Sequence, residues 1–218
     1  MTSEYQKLVR QNWGFLSPEE QALTARTRVL LAGCGLGSSI AVLAARSGVC
    51  HFVVADGDTV EISNLNRQAF RREHLGQNKA QATAAMIKEI NPEAQVQAIP
   101  AFIRAEDAAP LVKQGDVIVN MVDPGPALSA LLTAAKEQGK ITLFPLNVGF
   151  GGVLLAFGPQ SPSLEELSGG PETEGDLFLR IVERLMPALP PYLWQFAWGA
   201  EQVRRERLAP PQLGVAVS

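Results

Sequence analysis

The stretch that decides the fold is Arg28-Val29-Leu30-Leu31-Ala32-Gly33-Cys34-Gly35-Leu36-Gly37. A short apolar run that ends in glycines is typical of a buried parallel strand that turns tightly into a helix. Glycines in such a turn let the backbone approach a phosphate, and the helix that follows offers free N–H groups. The spacing is an imperfect G-x-G-x-x-G, because Ser38 stands where a third glycine or alanine would be. The turn alone does not distinguish a nucleotide site from an ordinary tight connection.

Short apolar runs recur along the chain and alternate with segments that read as helices. We expect strands at residues 28–32, 51–55, 95–100, 116–121 and 140–145, and helices at residues 38–47, 77–90, 106–113 and 126–138. Polar residues 3–26 read as one or two further helices, and glycine-rich residues 149–158 as an antiparallel extension of the sheet. This alternation predicts a Rossmann-like, doubly wound α/β fold with a mostly parallel sheet, whose ligand edge lies at the carboxyl ends of the strands.

We expect a single domain with two parts. Residues 1–158 would hold the N-terminal helices and the nucleotide-binding sheet, and residues 159–218 a lid loop and C-terminal helices that pack on the same domain. Residues 158–175 are rich in proline, serine, glycine and glutamate, which is typical of a mobile loop. Residues 176–207 have a helical character that prolines interrupt.

Composition and charge exclude several classes of protein. Hydrophobic residues make up 46% and charged residues 19%, an ordinary globular balance, and the net charge of −3 argues against nucleic-acid or membrane partners. No apolar run approaches the roughly 20 residues of a membrane span. The first residues lack the pattern of a secretion signal, and two cysteines are too few for a disulfide framework, so we expect a cytoplasmic protein.

An acidic residue follows the second expected strand. Asp56 lies 23 residues after Gly33, at the distance where a carboxylate can bind ribose hydroxyls beside a glycine turn. NAD, FAD and ATP all carry such a ribose, so Asp56 alone does not separate them.

The segment that follows does separate them: it reads Asp58-Thr59-Val60-Glu61-Ile62-Ser63-Asn64-Leu65-Asn66-Arg67-Gln68, with Lys79 twelve residues beyond Arg67. A redox site for a dinucleotide has no need of this polar and cationic series. Stabilising a pentavalent α-phosphate and a departing pyrophosphate does need such groups. Asp123, just after the fourth strand, could hold a magnesium ion against the phosphates.

In these residues the chain resembles the ThiF/MoeB adenylyltransferases, which are related to the ubiquitin-activating enzymes. The resemblance covers about residues 8–158. The matching text comprises Arg10-Gln11, Gly35-Leu36-Gly37-Ser38, Asp56-x-Asp58-Thr59-Val60, Ser63-Asn64-Leu65-Asn66-Arg67-Gln68, Gly76-Gln77-Asn78-Lys79, Ile90-Asn91-Pro92 and Asp123.

The resemblance implies a role for each matching position. Nucleotide contacts are implied for Gly35, Gly37, Asp56, Asn64 and Gln68, and catalytic roles for Arg67, Lys79, Asp123 and Arg10. We also expect Gly33, in the glycine turn, and Asp58, beside Asp56, to contact the nucleotide. Asp123 would serve the magnesium ion, and Arg10 would reach the γ-phosphate across a homodimer interface. The implied reaction uses ATP and Mg²⁺ and joins a carboxylate to AMP with release of pyrophosphate. The carboxylate is usually the C-terminal glycine of a ubiquitin-fold or sulfur-carrier protein.

Four positions depart from the family pattern around the nucleotide. The family turn often reads G-x-G-G-x-G, and an ungapped alignment places Ala32 and Cys34 on its first and third glycines, so the register of the turn stays open. Pro124 follows the magnesium aspartate where asparagine is usual, and Asn120 stands where an aspartate is common.

The cysteines depart further. No cysteine follows Cys50, and the paired Cys-x-x-Cys motifs that bind structural zinc in many members are missing, so we expect no zinc. We expect the Cys34 side chain to serve the steric fit of the glycine turn, and Cys50 to belong to the apolar core. We therefore expect adenylation without a thioester on this chain, followed by attack of an external nucleophile on the acyl-adenylate.

Three other functions remain open from the sequence. One is a non-catalytic, nucleotide-binding subunit of a heterodimer. Another is a dehydratase that activates the carboxylate of a modified tRNA nucleoside, as in threonylcarbamoyladenosine dehydratases. The third is an oxidoreductase that uses NAD or FAD.

Overall fold

The structure is a computed structural model of the 218-residue chain, and it describes residues 2–148 and 151–168. The helices expected within 176–207 lie outside the described residues. In the described part, no helix is long and apolar enough to cross a bilayer.

The six strands of the described part form one sheet. They are β1 (Arg28–Ala32), β2 (His51–Ala55), β3 (Gln95–Ile99), β4 (Val117–Asn120), β5 (Ile141–Val148) and β6 (Gly151–Phe157). The spatial order is β3-β2-β1-β4-β5-β6, with the first five strands parallel and β6 antiparallel to β5. The Rossmann-like fold class and the antiparallel extension are therefore confirmed.

Seven helices of the described part surround this sheet. They are α1 (Ser3–Leu8), α2 (Pro18–Arg26), α3 (Gly37–Arg46), α4 (Lys79–Ile90), α5 (Ala108–Val112), α6 (Pro126–Glu137) and α7 (Leu164–Ser168). The helix expected at residues 106–113 is shorter than predicted, because a 3₁₀ turn at Ala105–Asp107 precedes α5.

Alternate residues of the parallel strands feed two apolar cores. Leu30 and Val53 pack on the face covered by α5 and α6, whereas Leu31 and Val54 pack on the face covered by α3 and α4. All four side chains are buried. Burial on both faces explains why β1 and β2 read as continuous apolar runs, and why their bounds follow directly from the sequence.

Strand β5 extends three residues beyond the predicted end at Pro145. Its pairing with β4 ends at Leu143, whereas its pairing with β6 continues from Thr142 to Val148. Pro145 thus lies where one edge of the strand has no partner among residues 2–148 and 151–168, the kind of position at which a missing N–H costs little.

Residues 158–168 differ from the expected mobile loop. Ser163 and Glu166 form a reciprocal capping box, with Ser163 N donating to Glu166 Oε2 at 2.7 Å and Glu166 N donating to Ser163 Oγ at 3.1 Å. The box begins α7, and Leu164 packs against Leu128, Phe144 and Phe157. The serine and glutamate spacing of this box is readable in the sequence.

The N-terminal helices attach to the far end of α3. Tyr5 Oη donates to Gly48 O at 2.8 Å, and Gln21 Nε2 donates to Tyr5 Oη at 2.9 Å and to Ser47 O at 3.1 Å. Asn12 Nδ2 donates to the same Ser47 carbonyl at 3.1 Å. These bonds place residues 2–26 beside the amino-terminal edge of the sheet.

Asp116 links the amino-terminal ends of β1 and β4 and predicts a pH effect on stability. Hydrogen bonds from the Arg28 side chain and backbone hold the pKa of Asp116 down to about 2. A carboxyl with a lowered folded-state pKa stabilises the fold above its unfolded pKa of about 3.9, and this contribution is lost as the pH falls toward 2.

We therefore expect Asp116→Asn to lower the free energy of unfolding at pH 7 and to flatten its decline between about pH 4 and pH 2. The effect is small because the pair is exposed to solvent. Urea titrations at several pH values measure it, with Asp107→Asn as the control at another exposed ion pair. A variant whose acid decline equals that of the wild type would contradict this assignment.

Candidate active site

A cleft opens at the carboxyl edge of the sheet, where β1 and β4 lie side by side and the strand order reverses. Open α/β sheets bind ligands at this switch point. The cleft has a volume of about 620 Å³, within the range of small-molecule sites. Nine of the eleven predicted site residues line it: Gly33, Gly35, Asp56, Asp58, Asn64, Arg67, Gln68, Lys79 and Asp123.

The glycine turn lies against the end of β4. Gly33 has a φ of +89°, and a Cβ at this position would lie 2.6 Å from the Met121 carbonyl oxygen. Only glycine fits such a backbone at such a distance. Gly37 does not line the cleft. It begins α3, and its missing side chain lets Leu31 pack against the helix, with Leu31 Cδ1 3.1 Å from the position of a Cβ.

Asp56 organises the two loops that meet at the cleft. Its Oδ2 accepts a hydrogen bond from Cys34 N at 2.7 Å, and its Oδ1 accepts one from Asp58 N at 2.8 Å. Burial raises the pKa of Asp56 above its ordinary value. Each carboxylate oxygen can accept a second bond, so the same group can bind ligand hydroxyls.

Lys79 begins α4 and holds its charge inside the cleft. Its side chain is 10% exposed, and Nζ donates to Asp58 Oδ2 at 2.9 Å. Asn78 caps the helix: its Oδ1 accepts from the N–H groups of Ala80 and Gln81. The Nδ2 of Asn78 donates to the carbonyls of Asp56 and Asp58, so the loop and the helix that carry the acid and the lysine are joined.

A tight turn at residues 61–68 presents Arg67. The Asn64 side chain accepts from Glu61 N at 3.0 Å, and the Asn64 carbonyl accepts from the N–H groups of Arg67 and Gln68. Arg67 Nη1 donates to Ser63 O at 2.8 Å and to Asn66 Oδ1 at 3.0 Å. The guanidinium is thereby oriented, and the N–H groups on Nε and Nη2 remain to bind an anion.

Gln68 packs directly on the glycine turn. Its Nε2 lies 3.2 Å from the position that a Cβ of Gly35 would take. Its Oε1 is buried and has no hydrogen-bond partner among the described residues. Three other buried polar atoms of the described residues also have no partner, Thr83 Oγ1, Asn120 Nδ2 and Thr142 Oγ1, so Gln68 Oε1 does not by itself mark a ligand contact.

Asp123 is the exposed carboxylate on the β4 side of the cleft. Within the described residues, no group of three or more histidine, cysteine, aspartate or glutamate side chains gathers to bind a metal. Mg²⁺ usually binds through one or two carboxylates and the substrate's phosphates, so a single aspartate is compatible with it. Asn120 lies below the cleft, completely buried, where a neutral amide costs less than a carboxylate.

Sequence reasoning missed an apolar wall formed by Phe102 and Ile103. Both follow β3 and line the cleft, and Phe102 is 68% exposed. The Phe102 ring also lies so close to Gly57 that a Cβ there would come within 2.5 Å of it. The available signal was an apolar pair just beyond the third strand, at the edge where ligands bind.

Arg10, like Gly37, does not line this cleft. It lies in a 3₁₀ turn, Arg10–Asn12, which Asn12 ties to the end of α3. Helix α3 begins near the cleft and runs ten residues, about 15 Å, before reaching that point. Arg10 therefore does not reach the cleft of its own chain.

Neither thiol and neither histidine lines the cleft. Cys34 is completely buried, and burial raises the pKa of its thiol well above the ordinary range. Cys50 lies at the opposite edge of the sheet, next to Asn91 Nδ2 at 3.5 Å. His74 Nδ1 accepts from Arg71 N at 2.9 Å, and its ring packs edge-on against Phe70.

Several known proteins are similar to this chain in sequence. The chain is 30% identical over 144 residues to a sulfur carrier protein adenylyltransferase of Thermus thermophilus, covering 65% of this chain and 53% of that protein. It is 30% identical over 135 residues to the sulfur carrier protein ThiS adenylyltransferase of Escherichia coli, covering 61% and 54%. The chain spans about half the length of these relatives.

Solved structures and a family profile complete the comparison. The tRNA N6-threonylcarbamoyladenosine dehydratase TcdA of Escherichia coli superposes with a TM-score of 0.68 at 22% identity, covering 86% of this chain and 74% of that one. At that identity the likeness shows the fold alone. The profile of the ThiF family matches residues 5–184, most of the chain. The chain therefore belongs to the ThiF family.

Proposed function

We propose that the chain is an ATP-dependent adenylyltransferase that activates the C-terminal carboxylate of a small sulfur-carrier or ubiquitin-fold protein. The observation that carries the proposal is the convergence of Lys79 and Arg67 on one cleft with Asp56 and Asp123. Similar proteins are named for adenylylation of sulfur carriers and for activation of the SAMP modifier.

The reaction requires positive charge around the triphosphate. A carboxylate oxygen of the carrier attacks the α-phosphorus, an acyl–O–P bond forms, and the bond to pyrophosphate breaks. Arg67 and Lys79 would bind the charge that develops on the α-phosphate and the departing pyrophosphate. Asp56 would bind the ribose hydroxyls and so fix the nucleotide relative to both cations.

Asp123 would hold Mg²⁺ against the phosphates. The ion, when bound, neutralises phosphate charge and orients the triphosphate. Asp123 is suited to this task because it is exposed at the cleft and has no cation partner in the described part of the chain.

Arg10 would act in a homodimer. Because it lies at the far end of α3, its guanidinium can meet a γ-phosphate only in the cleft of a second copy. Arg10→Ala would then lower activity, and mixing it with an inactive Lys79→Ala chain would restore part of that activity through mixed dimers.

The acyl-adenylate would be consumed by an external nucleophile. Cys34 is buried with a raised thiol pKa, and Cys50 lies at the opposite edge of the sheet. A thiolate is the reactive form of cysteine, so neither side chain is suited to accept the acyl group. A sulfur donor, an amine or a second protein would take that role.

The test is pyrophosphate exchange, the return of labelled pyrophosphate into ATP. The probes are a panel of glycine-tailed, ubiquitin-fold carriers that begins with the sulfur carrier protein ThiS, and each is paired with a control that lacks its terminal glycine. We expect exchange only with an intact carrier tail, and a thermal shift with ATP but not with NAD or FAD. ATP binding without exchange for any carrier would contradict adenylation, and a shift with NAD alone would contradict the ATP site.

A further inference from the structure

We propose that Ser38 is a positioning residue that sets the distance between the glycine turn and Arg67. This inference rests on the proposed function, because it concerns the phosphate-binding loops of the same cleft. It accounts for the serine that interrupts the G-x-G-x-x-G spacing at this position.

The Ser38 hydroxyl joins the two loops through a pair of hydrogen bonds. Its Oγ donates to the Gly35 carbonyl at 2.7 Å and accepts from the Ala69 N–H at 3.1 Å. The residue is completely buried, so water does not compete for either partner. A hydrogen bond inside a protein is electrostatically stronger than one in water, and the loss of one partner leaves the other unsatisfied.

Ala69 directly follows the residues that face the phosphates. Residues 64–68 form one unit, because the Asn64 carbonyl accepts from the N–H groups of both Arg67 and Gln68. The bond from Ala69 to Ser38 fixes the end of this unit to the first turn of α3. The contact between Gln68 and Gly35 closes the same junction on the cleft side.

Loss of the hydroxyl frees that junction without removing any group from the cleft. Alanine at position 38 keeps the helix and leaves a vacancy no larger than one oxygen atom, but it leaves the Ala69 N–H without an acceptor. The Asn64–Gln68 unit can then shift relative to the glycine turn. A shift of about 1 Å in a catalytic group can cost on the order of 100-fold in rate.

The test is a double-mutant cycle of Ser38→Ala and Arg67→Ala, with Ser39→Ala as the matched control on the same helical turn. We expect Ser38→Ala to lower kcat for pyrophosphate exchange by about 10- to 100-fold with a smaller effect on the KM for the carrier. In the Arg67→Ala background the same change should alter the rate by less than about twofold, since residues that act together are not additive. Ser39→Ala should match the wild type.

Two results would overturn the proposal: an equal loss of rate from Ser38→Ala in both backgrounds, or no loss of rate from Ser38→Ala at all. Either result would show that Ser38 does not act through Arg67. If Ser38→Ala fails to fold, Ser38→Cys keeps the shape of the side chain with a weaker hydrogen-bonding group and takes its place in the cycle. The same double-mutant cycle can be measured on the affinity for ATP, by calorimetry without a carrier, so that it does not depend on adenylation. If the wild type shows no pyrophosphate exchange, the proposed function is contradicted. If the losses in ATP affinity from the two substitutions are additive, the positioning role of Ser38 is contradicted.

Discussion

We expect replacement of Lys79 by alanine to lower the rate of the proposed carrier-dependent pyrophosphate exchange by about 100- to 1000-fold, the usual cost of one donor that stabilises transition-state charge. The ammonium group lies largely shielded inside the cleft, where its attraction to phosphate is less screened than in bulk water. Arg67→Ala is expected to fall in the same range, because its oriented guanidinium faces the same ligand.

The fold should survive the loss of Lys79. Its side-chain partner, Asp58, is 54% exposed and can be hydrated once the lysine is gone, while the Lys79 N–H keeps its bond to the Asp58 carbonyl. Lys88→Ala, an exposed lysine on the same helix, is the matched control and should leave exchange unchanged. Exchange within threefold of the wild type in both Lys79→Ala and Arg67→Ala would contradict the role given to the cations.

We expect replacement of Gly33 by alanine to lower the free energy of unfolding by about 3 kcal/mol, because it combines a left-handed backbone with an overpacked contact. The new Cβ would meet the carbonyl oxygen and carbon of Met121 at 2.6 and 2.7 Å, and these are backbone atoms at the end of β4 that cannot rotate away. Relief of the clash would separate β1 from β4 at the cleft, so ATP affinity should fall as well.

Gly139→Ala is the control that distinguishes the cost of backbone strain from the cost of the close contact with β4. Gly139 has a φ of +67°, but apart from its chain neighbours no described residue has an atom within 4 Å of the position of a Cβ. Only the backbone strain applies there, and the cost should be about 1 kcal/mol. Denaturant titration measures both variants, and equal losses for Gly33→Ala and Gly139→Ala would show that the contact with β4 does not matter.

The sequence predicted β1 and β2 well because these two strands are buried on both faces. Continuous apolar runs at Arg28–Ala32 and His51–Ala55 leave little freedom of assignment. It also placed Asp56, Arg67 and Lys79 in one cleft, since the carboxyl ends of parallel strands share an edge.

Other features depended on contacts between distant residues. The exposed Phe102 lines the cleft beside Gly57, and Ser38 is bonded to Ala69, 31 residues away in the sequence. The extension of β5 past Pro145 depends on where β4 ends. Helix α7 differs from these, because its capping box at Ser163 and Glu166 was readable but lay within a segment dominated by loop-forming residues.

The most direct test of the central claim, that a carboxylate attacks the α-phosphorus of ATP in this cleft, follows the fate of oxygen. The carrier's C-terminal carboxylate is labelled with ¹⁸O, and its acyl group is then trapped with hydroxylamine, whose nitrogen displaces AMP. The account predicts pyrophosphate and AMP that carries one ¹⁸O atom, because the attacking carboxylate oxygen stays on phosphorus. Unlabelled AMP, or ADP with inorganic phosphate, would contradict it.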